Sequence, residues 1–171
     1  MKRSVFTIGY EGADLDTFLA TLGLAGVEHL IDVRDVPISR KRGFSKAKLA
    51  DALAIAGIHY THLKALGDPK AGRDAMKRGD YSAFLTIYNQ HLETDDAQQS
   101  LDVAAGIARN AVTVLLCYER NPKQCHRTIV AEQLQSRGDL DIRHLGVSEK
   151  RKINLKAAHP GETASLAYLQ T

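Results

Sequence analysis

The chain contains no tryptophan, and aromatic residues make up only 6% of its 171 positions. That sparsity argues against a dedicated single-strand nucleic-acid platform, which needs aromatic rings interleaved with basic residues to stack successive bases. Cysteine is scarce too: two residues cannot form the framework of a disulfide-stapled scaffold. No apolar run approaches the ~20 residues of a membrane-spanning helix. Met1-Lys2-Arg3 opens like a signal peptide, but the apolar stretch over 5–8 is too short for one, and Glu11, Asp14 and Asp16 follow soon after. These absences predict a cytoplasmic protein without a membrane partner.

What is present suits one globular domain large enough to bury its own core. The net charge of +3 is mild. Basic residues nevertheless cluster at Arg40-Lys41-Arg42, at Lys46 and Lys48, over 64–78, and at Lys150-Arg151-Lys152. Such clusters read either as solvated faces or as contacts for a phosphate-rich partner, a nucleotide or a nucleic acid.

Hydrophobic patterning gives strands over 4–8, 29–33, 58–62, 112–117 and 141–145. The second and fourth are nearly continuous apolar runs, as expected of parallel strands covered on both faces. Helices alternate with them. Leu15, Phe18, Leu19 and Leu22 share a face behind an Asp14 cap, and Ser45 is expected to cap a second helix carrying Leu49, Leu53 and Ile55. Further helices are predicted over 81–92, 97–108 and 122–136, whereas 67–80 reads as a long polar connection. Alternation of this kind predicts a single-domain, three-layer α/β fold of Rossmann-like type, a mostly parallel sheet flanked by helices over 1–146. Residues 147–171 read as a peripheral C-terminal tail. Strand order is left open.

In such a fold the carboxyl ends of the strands form one edge, where ligands bind. The first strand exits into Tyr10 and Glu11, and the second exits through Asp32, Arg34 and Ser39. The third ends at His62, and the fourth runs into Cys117, Glu119, Cys125, His126 and Arg127. Asp32 lies inside an apolar strand, where a carboxylate is costly unless paired; a salt bridge and a catalytic role explain it equally. Asn121 followed by Pro122 predicts a helix start, with Cys125 and His126 near the end of its first turn. A helix N-terminus beside arginine favours a thiolate at Cys125, or a bound anion. Plain core packing remains the alternative for Cys117, Cys125 and His126. Zinc-type ligation by Cys117, Cys125, His126, His59 and His62 is a further alternative, although the cysteine spacing matches no standard short zinc pattern.

Three stretches together resemble the domain of unknown function 488 family. They are Thr7-Ile8-Gly9-Tyr10-Glu11-Gly12, then Asp32-Val33-Arg34 with Pro37 and Ser39, then Cys117 and Glu119 followed by Cys125-His126-Arg127. The resemblance covers roughly 4–145 and implies an α/β fold in a bacterial or archaeal cytoplasmic protein, without an assigned activity. One departure is at Leu66-Gly67-Asp68, where the family pattern leads one to expect a second glycine after Gly67.

The functional expectation is an enzyme holding an anionic, phosphate-bearing or nucleotide-like substrate at the carboxyl edge. Tyr10, Glu11, Arg34, Ser39, His62 and Arg127 would contact it. Cys125 would be nucleophile or redox centre, with His126 or Glu119 carrying protons, Cys117 alongside, and Asp32 orienting Arg34. Cysteine phosphatases and rhodanese-like sulfur carriers offer a loose analogy, since Lys123 stands where their arginine would follow Cys117. The alternatives are a non-catalytic nucleic-acid or ligand-binding module and a metal-binding protein. No cofactor is specified.

Overall fold

The computed structural model describes residues 3–147. Its strands are β1 (Arg3–Gly9), β2 (His29–Asp32), β3 (His59–His62), β4 (Thr113–Cys117) and β5 (Leu140–Leu145). They form one all-parallel sheet in the order β3-β2-β4-β1-β5. The helices are α1 (Leu15–Leu24), α2 (Lys46–Ile55), α3 (Lys70–Lys77), α4 (Tyr81–Leu92), α5 (Asp95–Asn110) and α6 (His126–Arg137). The architecture is therefore the expected single-domain α/β fold. The tail expected over 147–171 lies, from 148 onward, outside the described residues.

Strand periodicity sorts side chains onto two faces. Ile8, Leu30, Val114 and Leu116 pack with Phe18 and Leu22 of α1 and with Leu49 and Leu53 of α2. Val5, Ile31 and Leu115 pack on the other face, against Phe84 and Tyr88 of α4, Leu101 of α5, and Val130 and Leu134 of α6. Each large apolar side chain so buried contributes about 1.5–3 kcal/mol. Connections from β1 to β2 to β3 run along the sheet one way and lay α1 and α2 on one face. Those from β3 to β4 to β5 run back and lay α3 to α6 on the other. Reversing both direction and face keeps one handedness throughout. Among the described residues no helix is long and apolar enough to cross a membrane.

Local structure departs from expectation in three places. The polar stretch 67–80 is not one loop, because α3 occupies much of it, burying Ala75 on a short helix that is otherwise largely polar. Ser45 stands at the N-cap position of α2 without capping it; its Oγ donates instead to the carbonyl of Ser39 and accepts from the Ser39 N–H. The helix expected from Pro122 is broken in two. Residues Pro122–Gln124 make a single 3₁₀ turn, with Asn121 Oδ1 accepting from the Lys123 N–H, and α6 starts afresh at His126. Cys125 is consequently the extended N-cap residue of α6 (φ −142°, ψ 136°), not a member of its first turn.

Candidate active site

The carboxyl edge carries a cavity of about 650 Å³ with walls from all four exits: Tyr10 and Gly12, the segment from Arg34 to Lys41, Asp68 and Arg73, and Cys117 to Glu119 with His126. A smaller cavity of about 160 Å³ lies beside Cys125 and shares Asp68, Arg73, Glu119 and His126 with the larger one. Register explains the convergence: Gly9 pairs with Cys117 and Asp32 with Leu116, so the strands end nearly level.

One wall is built around Asp32. Its carboxylate is fully buried and accepts from Arg34 Nε (2.8 Å) and Nη2 (2.6 Å), from the Arg34 N–H (3.1 Å), and from the Tyr60 hydroxyl (2.7 Å). Arg34 Nη1 donates to the Tyr10 hydroxyl and to the carbonyl of Phe44. Burial pulls the Arg34 pKa down, but the hydrogen bonds and charge of Asp32 raise it overall. A two-point arginine–carboxylate pair of this kind is rigid as well as strong. Asp32 is therefore the partner of Arg34 and Tyr60, and most of Arg34's donors are already used. Tyr10 stacks on Phe44 with centroids 4.4 Å apart and lines the larger cavity. Ser39 also lines it, with Oγ accepting from the Lys41 N–H.

The opposite wall holds the thiols. Glu119 Oε2 lies 3.0 Å from Cys117 Sγ and 3.1 Å from Cys125 Sγ, so one carboxylate oxygen touches both. His126 Nε2 donates to the carbonyl of Val33 (2.8 Å), which can only accept. That bond turns Nδ1 toward the sulfurs, 3.8 Å from Cys117 Sγ. The acidities diverge accordingly. Burial alone would raise the Cys125 thiol, yet hydrogen bonds from Cys117 and His126, with the charges of His126 and Arg127, hold it well below the usual thiol range. Cys117 goes the other way, raised by burial and then by the Cys125 and Glu119 anions. Burial lowers His126, but the bond and charge of Cys125 outweigh it and raise the imidazole to about 9. Burial, then the Cys125 charge, raises Glu119. His126 thus favours ionisation of Cys125, while Cys117 is held to its S–H form.

The remaining residues of the cysteine turn hold its shape. Arg127, expected to face an anion, is 1% exposed and donates to the carbonyls of Glu119 and Arg120 and to Thr7 Oγ1. Its guanidinium is committed to the loop backbone and does not line either cavity. Glu11 is engaged by the same loop: it accepts from the Arg120 N–H, gives its own N–H to the Tyr118 carbonyl, and stands outside both cavities. Gly9 lets the strand end pass under this loop, since a Cβ there would lie 1.8 Å from the Glu119 carbonyl oxygen.

Sequence reasoning missed Asp68 and Arg73. Asp68 stands where the family pattern suggested a second glycine. Its carboxyl is 8% exposed, Oδ1 has no hydrogen-bond partner, and it lines both cavities. Burial raises its pKa to about 6 against the opposing pull of His126 and Arg73. Arg73, projected from α3, pairs with Asp35 Oδ2 at 2.6 Å, donates to the Asp68 carbonyl and borders both cavities. No local motif marks either residue; the only signal was the density of charge over 64–78.

Cys117 Sγ, Cys125 Sγ and a nitrogen of His126 lie within 4.8 Å of one another and could hold a zinc-type ion. The anchoring of His126 on a carbonyl suits a ligand histidine as well as a catalytic one. His59 and His62 do not belong to that group. His59 meets His29 on the outer part of the sheet, and His62 donates through Nε2 to the Arg34 carbonyl with Nδ1 3.4 Å from Lys46 Nζ. Nor does His62 line either of the two cavities.

No curated protein and no solved structure is significantly similar to the chain. The family model described as "Domain of unknown function DUF488" matches residues 14–134, a span that includes Asp32, Arg34, Cys117, Glu119, Cys125, His126 and Arg127. The chain belongs to the DUF488 family.

Proposed function

We propose that the protein is a cysteine-dependent enzyme acting on an anionic substrate, phosphate-bearing or nucleotide-like, in the crevice at the carboxyl edge of its sheet. The observation that carries this reading is the buried Cys125 sulfur at the start of α6, within 4.8 Å of Cys117 Sγ and a His126 nitrogen and beside a cavity, in surroundings that hold its acidity well below the usual thiol range. A thiolate held against an imidazolium is a competent nucleophile at neutral pH. Arg73, with Arg40 and Lys41 on the rim of the larger cavity, supplies positive charge for the substrate's anionic group. Arg34 is too fully bonded to grip the anion and instead fixes the wall that carries Tyr10.

In the reaction class this supports, Cys125 Sγ forms a bond to the substrate's electrophilic atom while the bond to the leaving group breaks. The leaving group departs with the electron pair and takes a proton from His126. A water or acceptor then displaces the sulfur, with Glu119 or Asp68 receiving the released proton. The setting we infer is the cytoplasm, where reducing conditions keep both thiols free.

Alkylation by iodoacetamide near neutral pH, mapped by mass spectrometry, tests the reading. Cys125 is expected to react faster than free cysteine at the same pH. If neither cysteine does, the nucleophile is lost. Stoichiometric zinc in the purified protein, released together with the reactivity of Cys117 and Cys125 toward alkylation, would replace this reading with the metal-binding one.

A further inference from the structure

We propose that Cys117 and Cys125 are a redox pair, in which a hydroperoxide oxidises Cys125 and Cys117 closes a reversible disulfide onto it. The inference rests on the nucleophile reading of Cys125 and adds a regulation of the same site. Both sulfurs touch one oxygen of Glu119, at 3.0 and 3.1 Å, and they lie within 4.8 Å of each other. The side chain of Cys125 makes no capping bond to the backbone of α6, so the helix does not tether its sulfur. The two thiols also face different spaces. Cys125 borders the cavity of about 160 Å³, and Cys117 borders the one of about 650 Å³. A water occupies roughly 30 Å³, so the smaller space beside Cys125 has room for a hydroperoxide group.

The chemistry balances within the site. The Cys125 sulfur attacks the terminal peroxide oxygen, the S–O bond forms as O–O breaks, and the departing hydroxide or alkoxide takes the proton of His126. Cys117 then passes its proton to Glu119 and attacks the sulfenic sulfur of Cys125. The S–S bond forms, the S–O bond breaks, and hydroxide leaves as water with the proton from Glu119. The peroxide has gained two electrons and the two cysteines have lost them. Cys117 thereby intercepts the sulfenic acid before it is driven to the irreversible sulfinic acid.

The experiment is graded treatment of the full chain with hydrogen peroxide, followed by intact-mass measurement and counting of alkylatable thiols, with and without dithiothreitol. The wild type is expected to lose about 2 Da and both thiols together, and to recover both on reduction, whereas Cys117→Ala gains about 32 Da at the same dose and does not recover. Cys117→Ser serves the same comparison if the alanine variant fails to fold. A wild type that gains oxygen without losing both thiols overturns the proposal, as does a Cys117 variant that resists over-oxidation as well as the wild type. Rapid alkylation of Cys125 without disulfide formation removes only this inference. Slow alkylation of both cysteines removes the nucleophile reading beneath it.

Discussion

Replacing His126 with asparagine tests the thiolate most directly, because it removes the cation facing Cys125 and leaves a neutral polar side chain at the start of α6. In the folded protein His126 is raised from 6.5 to about 9, the charge and bond of Cys125 prevailing over burial. A difference of roughly 2 to 3 pKa units corresponds to about 3 kcal/mol, at 1.36 kcal/mol per unit. Coupling is mutual, so Cys125 loses stabilisation of the same order when the imidazolium is removed. Burial lowers His126 while the Val33 carbonyl and Glu119 add to the rise, so the net shift sets the scale of the coupling. Alkylation of Cys125 at pH 7 is therefore expected to slow by roughly ten- to a hundredfold, as 1.4 kcal/mol is tenfold. The wild-type rate should stay nearly flat from neutrality up to about pH 9, where His126 loses its proton. The rate in His126→Asn should instead climb across that range as the unassisted thiol ionises. The assay is a second-order rate constant measured against pH, with folding checked by circular dichroism. A folded variant that alkylates at the wild-type rate at pH 7 refutes the ion pair.

Two further outcomes follow from the geometry. Asp68→Asn should stabilise the fold at neutral pH by about 1–2 kcal/mol, allowing for partial solvent screening of a carboxyl raised from 3.8 to about 6. A carboxyl whose folded pKa is raised binds its proton more tightly in the native state, so the wild type loses stability as pH rises from about 4 to 6. The variant should lack that slope in urea unfolding, and an identical slope would show that Asp68 is not the group responsible. Gly9→Ala should destabilise by about 3 kcal/mol or more, because the new Cβ meets backbone at 1.8 Å and not a movable side chain. It should also displace the 119–120 loop, read as altered alkylation of Cys125; a stable protein with unchanged reactivity would contradict the close packing.

The central strands β2 and β4 were legible because burial on both faces leaves an apolar run in the sequence, as at Leu30-Ile31 and Val114-Leu115-Leu116. α1 and α4 were legible from the spacing of their apolar residues. α3 was not, since Lys70, Arg73, Asp74 and Lys77 dominate it and few apolar positions reveal its buried side. At the cysteine turn the Asn121-Pro122 signal was genuine but marked a single 3₁₀ turn, and a residue-level count from Pro122 misplaced Cys125. Arg127 shows a different limit. A guanidinium next to a cysteine and a histidine invites an anion-binding role, but here two backbone carbonyls and a threonine use its donors. Asp68 becomes visible only once α3 and the end of β4 are brought together, because its neighbours in sequence say nothing about the thiols it approaches.

The placement of β4 between β2 and β1 has a consequence for how this molecule comes into being. The two earliest central strands are never neighbours, so the first half of the chain cannot zip its sheet shut while emerging from a ribosome. Closure waits for a strand more than eighty residues downstream of β2, the kind of distant pairing that slows folding. That late strand ends in Cys117 and leads directly to Cys125. Insertion of β4 between its two neighbours and the gathering of the thiols are thus linked, and a chain that has not yet placed β4 has no such grouping.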